Sequence, residues 1–480
     1  MMKIPEGNCE IGLIGLGTMG RNLALNIADH RFPVAAYNRT AAKTRDFMAT
    51  EAAGREVHPG YDLTDFVRLL RKPRAVLLMV SAGPPVDAII EELLPHLEPG
   101  DFIIDGGNSY FGDTDRRAGR LAEENLLFLG LGISGGEVGA RFGPSLMPGG
   151  PWEAYQRVMP ILEAVAAEVR GEPCVTYLGA GSAGHYVKMV HNGIEYGLMQ
   201  LIAETYDLLK YGLGFDNDAL HEVFARWNQE ELESYLIEIT ARIFQQKDDR
   251  TDGRLLDYIL DVAGEKGTGV WTSREAMDLR VPIPTIDMAV AMRALSDLKK
   301  EREFASEVLE GPSTPVQKKG EDFIEKIKNA LLASMIVTYA QGLALLQQAS
   351  HRYDYQLHLE RVAKIWRGGC IIRAALLEDI MAAYKADHEL PNLLLDPKFR
   401  QQIRTRQADW RAVVAAAAMA GIPAPGLAAS LGYFDAYRRA RLPANLIQAQ
   451  RDYFGAHTYE RVDVPGAYHT VWEDEIEVGG

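Results

Sequence analysis

Residues 10–30, EIGLIGLGTMGRNLALNIADH, restrict the fold of this chain more than any other stretch. A short apolar run with the signature of a buried strand passes straight into Gly15, Gly17 and Gly20, and a helical pattern follows. G-x-G-x-x-G in that setting gives a tight turn, a backbone that can approach a pyrophosphate, and a helix N-terminus facing the negative charge. A ligand-free glycine turn would use the same residues, but the strand before it and the helix after it favour a dinucleotide.

The next strand, PVAAY, ends at Asn38-Arg39-Thr40, about twenty residues after the glycines, where NAD-preferring proteins place an acid for the ribose hydroxyls. An acid would repel a 2′-phosphate, whereas Arg39 between two hydrogen-bonding side chains suits one, so the spacing predicts NADP. Further strands are expected at Ala75 to Val80, Asp101 to Asp105, Leu127 to Ser134 and Cys174 to Gly179, separated by helix-period segments. Such alternation predicts an α/β Rossmann-like doubly wound parallel sheet. Ligands lie beyond the carboxyl ends of strands in such a sheet, so the loops VSAGPP, DGGNSYFGD and ISGGEVGARFGPS are expected to gather near the nicotinamide. Backbone donors in Ser134-Gly135-Gly136 suit a carboxylate, and Asn108 suits a bridge between cofactor and substrate; ordinary turn chemistry uses the same residue types.

A chain of 480 residues suggests two or three domains at about 150 residues each. After the GAGSAG stretch the strand signal disappears and long amphipathic segments follow, including Gly184 to Lys210, Thr285 to Lys299 and Glu321 to Gln348. The expected organisation is therefore a nucleotide domain over 1–181, a large all-α domain over 182–440, and an extended C-terminal tail over 441–480. The 66 acidic against 51 basic residues, net charge −15, argue against nucleic acid and anionic lipid as partners. Any anionic ligand must then meet a local cluster of Lys and Arg. Cys9, Cys174 and Cys370 are too few and too far apart for a disulfide framework, which predicts buried thiols in a reducing, cytoplasmic compartment. The N-terminus carries no cationic leader, so no secretion is expected. The uncharged run from Ala412 to Phe434 is rich in Ala and Gly and interrupted by Pro423 and Pro425, and reads as an Ala-rich helix and a turn rather than a membrane span.

In GHYVKMVHNGIEY, residues 184–196, Lys188, His191, Asn192 and Glu195 stand at i, i+3, i+4 and i+7. At about 100° per residue, seven steps return to within roughly 20° of the start, so all four project from one stripe. Apolar neighbours place that stripe inside the protein. A salt-bridged surface helix would carry the same residue types. Burial, however, lowers the pKa of an amine and raises that of a carboxylic acid, which turns one helix face into a base and an acid. Lys266 to Trp271, KGTGVW, reads as a loop, with Arg293 on the helix after it. The stretch RDYFGAHTYE, carrying Arg451 and His457, lacks a helix period.

Taken together, GLGTMGRNLALN, NRT, DGGNS, SGGEVGARFGPSLMPGG, GHYVKMVHNGIEYG, KGTGVWT, WRGGCIIR and RDYFGAHTYE resemble the decarboxylating 6-phosphogluconate dehydrogenase family along the whole chain and in the family's order. The resemblance implies oxidation of 6-phosphogluconate to ribulose 5-phosphate and carbon dioxide with NADP, in the pentose phosphate pathway, by a homodimer whose tail reaches into the partner subunit. It implies Lys188 as general base and Glu195 as general acid. It implies substrate contacts from Asn108, Ser134, Gly135, Gly136, His191 and Asn192. A phosphate pocket would be made by Tyr196, Lys266, Thr268 and Arg293, with Arg451 and His457 supplied by the other chain. For the cofactor it implies Gly15, Leu16, Gly17, Thr18, Met19, Gly20, Asn38, Arg39, Thr40, Val80, Ser81, Ala82 and Asn108. No metal is required, and no metal-ligand spacing is seen. Ser81, Val138, Leu198 and Val270 depart from the family's usual residues, which puts cofactor affinity and optimum pH in question. Two other readings are a shorter-substrate β-hydroxyacid dehydrogenase and a catalytically idle NADP binder; the tail speaks against the first, the presence of both Lys188 and Glu195 against the second.

Overall fold

The structure, a computed structural model, describes residues 6–312 and 320–472. Positions 1–5 of the expected first domain and 473–480 of the expected tail lie outside the described residues. The chain forms two compact bodies, Met1–Ser430 and Leu431–Gly480.

The first body opens with a seven-stranded sheet. In chain order its strands are β1 (Ile11–Ile14), β2 (Val34–Tyr37), β3 (Val57–Pro59), β4 (Ala75–Leu78), β5 (Phe102–Asp105), β6 (Leu127–Ser134) and β7 (Ser145–Gly149). Their spatial order is β3-β2-β1-β4-β5-β6-β7. The first six pair in parallel, and β7 closes the edge antiparallel to β6. Strands such as IGLI and AVLL are apolar at every position because helices cover both faces of the sheet, so neither face meets water. The order reverses between β1 and β4, which opens a crevice at their carboxyl ends.

The expected strand at Cys174 to Gly179 reduces to a single parallel bridge between Val175 and Leu146. Leu146 N–H donates to Cys174 O at 3.0 Å, but the next rung would need an N–H from Pro148, which has none. The short strands β3 and β7 escaped the sequence reading, β7 because SLMPG sits in a run of Gly and Pro that reads as loop.

Beyond residue 182 of this body the regular elements among the described residues are helical. The central one, here the cleft helix, is Ala183–Asp207, 25 residues long. It packs on one side against β6 and β7 and on the other against the 33-residue core helix Glu321–Tyr353. The core helix is long and apolar enough to cross a membrane, yet 89% of its most apolar window is buried in the protein. The Ala-rich stretch forms helix Pro397–Ala420, which stops at Gly421 in the left-handed region and is followed by a second helix, Pro425–Tyr437, rather than by a turn alone. KGTGVW is not a loop throughout: Gly267, at φ 88°, ends it, and helix Thr268–Asp278 begins there.

In the second body, Arg451 lies on helix Ala444–Gly455, and a short hairpin pairs Tyr459–Glu460 with Ala467–Tyr468. Helix and hairpin are tied by one buried carboxylate, Asp452, which accepts from Thr458 N, Thr470 N and Trp472 Nε1 and pairs with His469.

Candidate active site

The three glycines of the first loop serve three different purposes. Gly15 has φ 106°, and a Cβ on it would lie 2.4 Å from Met79 O. A Cβ on Gly20 would lie 1.9 Å from Gly15 O, so only glycine lets the helix Thr18–Asp29 start this close to the strand. Gly17 faces open space and exposes its backbone to a ligand. That helix has no side-chain cap and no acid in its first turn, so its leading N–H groups remain available to an anion. Asn38 Oδ1 accepts from Leu16 N at 3.0 Å and locks the loop to the end of β2.

Asn38, Arg39 and Thr40 line one side of a groove of about 590 Å³, with Gly15, Gly17, Val80 and Ser81 opposite. Arg39 is exposed and has no ion-pair partner among the described residues. The groove continues past Thr18, Met19, Gly20, Ala82 and Asn108 as a second space of about 520 Å³. An unfilled helix terminus, a bare Gly17 and an unpaired guanidinium at the end of β2 fit the pyrophosphate and the 2′-phosphate of NADP. Of the residues expected at the cofactor, Leu16 alone does not line the groove: its side chain is in the core, and its N–H is taken by Asn38.

Met19, Asn108 and Lys266 are shared with a third space, a cleft of about 650 Å³. The cleft helix contributes Lys188, Asn192, Glu195 and Tyr196 to its wall, the end of β6 contributes Ser134, Gly135 and Gly136, and Thr268 and Arg293 complete the far side. The stripe expected on one helix face therefore opens onto one cleft. His191 is the exception: it is fully buried behind the wall, with Nε2 3.3 Å from Ser134 Oγ and Nδ1 3.1 Å from Asn192 Oδ1. Asn192 in turn donates to Thr268 Oγ1 at 3.3 Å. Arg451 and His457 belong to the second body, both exposed.

Glycines bring the cleft helix onto the sheet. A Cβ on Gly132 of β6 would sit 2.5 Å from Lys188 Cβ, one on Gly130 2.9 Å from His185 Nδ1, and one on Gly149 of β7 2.2 Å from Gly184 N. The alternation of Gly with large apolar residues in LFLGLGIS thus marks the track on which the helix lies. At the opposite end, the Arg293 guanidinium stacks 3.5 Å above the Tyr196 ring and donates to Gly264 O at 3.3 Å. The guanidinium is thereby held at the cleft mouth, where an anion would meet it.

Burial dominates the electrostatics. Desolvation pulls the Lys188 amine below the usual lysine value, against the opposing charges of Glu195 and Cys370. Desolvation pushes the Glu195 carboxyl above the usual range, against the pull of Lys188 and Arg293. His191 is driven well below the usual imidazole value by burial, then by the charge of Lys188, with only the Asn192 hydrogen bond opposing. An amine that releases its proton readily and a carboxyl that retains one face the same cleft.

Several residues that shape the site were given no role from the sequence, although Asp105 lies in the DGGNS motif and Ile371 in WRGGCIIR. Asp105 accepts from Gly107 N at 3.0 Å and Ser109 Oγ at 2.6 Å and so holds the loop that presents Asn108. Arg117, buried on its helix, clamps that loop to Asp87 and Gly83 O. A helical arginine reads as solvated from sequence; only the packing buries it. Ile371, on a turn far along the chain, lines the cleft together with Lys188 and Gly135. Among the four departures, Ser81 lines the nucleotide groove, Val138 is exposed, Val270 is half-buried, and Leu198 is buried in the helical core.

A switch-point nucleotide groove running into a cleft that holds a buried amine and a half-buried carboxyl defines the class: a nicotinamide-dinucleotide dehydrogenase with a helical substrate half. Residues 10–179 match the NAD binding domain of 6-phosphogluconate dehydrogenase, and residues 184–472 match the 6-phosphogluconate dehydrogenase C-terminal domain. The chain belongs to the 6-phosphogluconate dehydrogenase family. It is 57% identical over 466 residues to the decarboxylating 6-phosphogluconate dehydrogenase of Synechococcus elongatus, covering 96% of this chain and 99% of the relative. It is 54% identical to the NADP(+)-dependent, decarboxylating enzyme of Bacillus subtilis, with 96% and 99% covered. Plasmodium falciparum 6-phosphogluconate dehydrogenase, solved in its apo form, with its cofactor NADP+ and with its substrate 6-phosphogluconate, superposes with a TM-score of 0.93. The two share 46% identity, over 97% of this chain and 100% of that one.

Proposed function

We propose that this protein oxidises and decarboxylates 6-phosphogluconate to ribulose 5-phosphate and carbon dioxide with NADP as hydride acceptor, and that Lys188 and Glu195 are its base and acid. The observation that carries this reading is the opening of both side chains, each with its proton affinity shifted toward its role, onto one cleft beside Asn108 and Met19. Bound NADP supplies the acceptor for a hydride from C3. Neutral Lys188 takes the proton of the C3 hydroxyl as that hydride leaves. The product is a β-keto acid, and Lys188, now charged, polarises its ketone so that electron density from the departing carboxylate is stabilised. Glu195 then protonates C1 of the enediol.

Ser134, Gly135 and Gly136 hold the substrate's carboxylate end, and Asn108 and Asn192 its hydroxyls. His191, from behind the wall, orients Ser134 and Asn192 in place of touching the sugar. Lys266, Thr268, Arg293 and Tyr196 receive the phosphate, and Arg39 with Asn38 and Thr40 receives the 2′-phosphate of NADP. The division we assign is 1–181 for the nucleotide domain, 182–440 for the helical domain and 441–480 for the tail. The working unit is a homodimer in which Arg451 and His457 of the tail complete the partner's phosphate pocket; the uncovered Leu446, Ile447, Phe454 and Val471 of the tail fit a surface that a second subunit covers. Three buried free thiols fit a reducing, cytoplasmic setting.

The test is reduction of NADP and then NAD with 6-phosphogluconate while carbon dioxide is trapped, with Lys188→Met beside the wild type. Loss of hydride transfer with cofactor binding intact is the expected result; substantial turnover by Lys188→Met rejects the base assignment.

A further inference from the structure

Far from the cleft, His358, Glu360 and His388 form a cluster whose ligand atoms all lie within 4.8 Å of one another. His358 Nδ1 is 3.5 Å from Glu360 Oε1, and His388 Nδ1 is 3.5 Å from Glu360 Oε2. The two imidazole rings stand at 89° with centroids 6.4 Å apart, so each turns a ring nitrogen to the same carboxylate without stacking on the other. In a tetrahedron around zinc, with N and O ligands at about 2.0–2.2 Å, neighbouring ligand atoms lie ~3.4 Å apart. Each histidine already stands 3.5 Å from a Glu360 oxygen, and with all three ligand atoms within 4.8 Å of one another a small inward turn of the exposed rings completes the spacing. We propose that His358, Glu360 and His388 form a structural site for a borderline divalent cation of the zinc class.

The donor set selects the metal. Two imidazoles and one carboxylate suit zinc, whereas magnesium and calcium prefer oxygen donors. Both histidines are exposed and Glu360 is half-buried, which leaves an outer coordination position to water. Arg361 Nε, 3.9 Å from Glu360 Oε1, is the cation that competes for this carboxylate, at the outer limit of an ion pair.

The place of the cluster in the fold indicates what a bound cation does. His358 caps and Glu360 lies in the first turn of the helix Leu359–Trp366, and His388 follows the helix Leu376–Ala386 that packs beside it. The site therefore joins the open ends of a helical hairpin. The closed end of that hairpin is the turn through Gly369, Cys370 and Ile371. Gly369 O accepts from Ser145 N at 2.8 Å, a Cβ on Gly135 would lie 2.5 Å from the same oxygen, and Ile371 lines the cleft. A cation at one end stiffens the hairpin that carries these residues at the other.

The experiment is a calorimetric titration of the untagged full-length protein with zinc chloride, and separately with magnesium chloride, for the wild type, His388→Ala, His358→Ala and Glu360→Gln. One saturable zinc per chain is expected, weakened at least about tenfold in each variant, with no magnesium binding. Zinc should raise the melting temperature of the wild type and leave that of His388→Ala unmoved; both histidines are exposed, so their variants fold. Absence of saturable zinc binding below millimolar concentration, or equal affinity in wild type and His388→Ala, overturns the proposal. None of these readouts depends on catalytic activity.

Discussion

Gly132→Ala asks whether the sheet beneath sets the position of the proposed base. Gly132 lies within β6, paired with Met147 of β7, and a methyl group there would meet Lys188 Cβ at 2.5 Å and Gly184 O at 3.1 Å. Ordinary contact begins at 3.4 Å, so moving from 2.5 to 3.4 Å requires helix and strand to part by about 0.9 Å. Neither neighbour is soft: one is the root of a side chain, the other is main chain, and β6 is held on both sides by β5 and β7. Overpacking of this kind costs about 1–3 kcal/mol in stability. Displacement of a reacting group by about 1 Å costs about 10²-fold in rate, or ~2.7 kcal/mol at the transition state. The variant should therefore lose about a hundredfold in kcat and melt earlier, while its affinity for NADP, bound at the carboxyl ends of β1, β2 and β4, stays at the wild-type value. Steady-state NADPH formation, cofactor titration by fluorescence and a melting curve measure the three quantities. Gly119→Ala, on helix Phe111–Glu123 with nothing within 4 Å of the added atom, is the control and should keep full activity. If Gly132→Ala turned over like the wild type, or lost NADP affinity in proportion to rate, the tight seat of Lys188 on the sheet would not be what positions it.

The pH dependence of kcat follows from the two shifts. Lys188 must be neutral to act, so the rate falls as pH drops through its pKa, which burial places below 10.5; Glu195 must hold its proton, so the rate falls as pH rises through its pKa, which burial places above 4.5. A bell is expected whose limbs belong to the pair, and Glu195→Gln should lower turnover and remove the alkaline limb; an unchanged profile would reject the acid assignment. Arg39→Ser should weaken NADP binding by about tenfold or more while sparing NAD, as expected for loss of a charged contact worth ~1.5–3 kcal/mol; equal weakening of both would place the 2′-phosphate elsewhere. Arg451→Ala should raise KM for 6-phosphogluconate, and mixing it with a Lys188 variant should restore part of the activity if tails cross between subunits. No recovery in mixed dimers would put the whole site within one chain.

The parts legible from sequence were those with a local cause. Glycines at 15, 17 and 20 between an apolar run and a helix period, and four polar residues at i, i+3, i+4 and i+7, specify their geometry through backbone rules that need no partner. The parts that were not legible have causes distant in sequence. The strand after Cys174 fails because Pro148, on the neighbouring strand, lacks the donor for the next rung. His191 leaves the cleft because Ser134 and Asn192 engage both its ring nitrogens, and Leu16 leaves the groove because Asn38 takes its N–H.

The sequence by itself determined the strand–turn–helix that receives a dinucleotide, the alternation that builds the sheet, and the side of the cleft helix that carries Lys188 and Glu195. Only the tertiary structure decided how deeply each group of that side is buried, with Lys188 enclosed and Glu195 half-buried at the cleft. It also decided which of Arg117, Ile371 and the His358–Glu360–His388 cluster meet groups far away in the chain. The physical reason is that periodicity and glycine geometry are encoded within one turn or strand, whereas desolvation and convergence of side chains depend on what other segments pack around them.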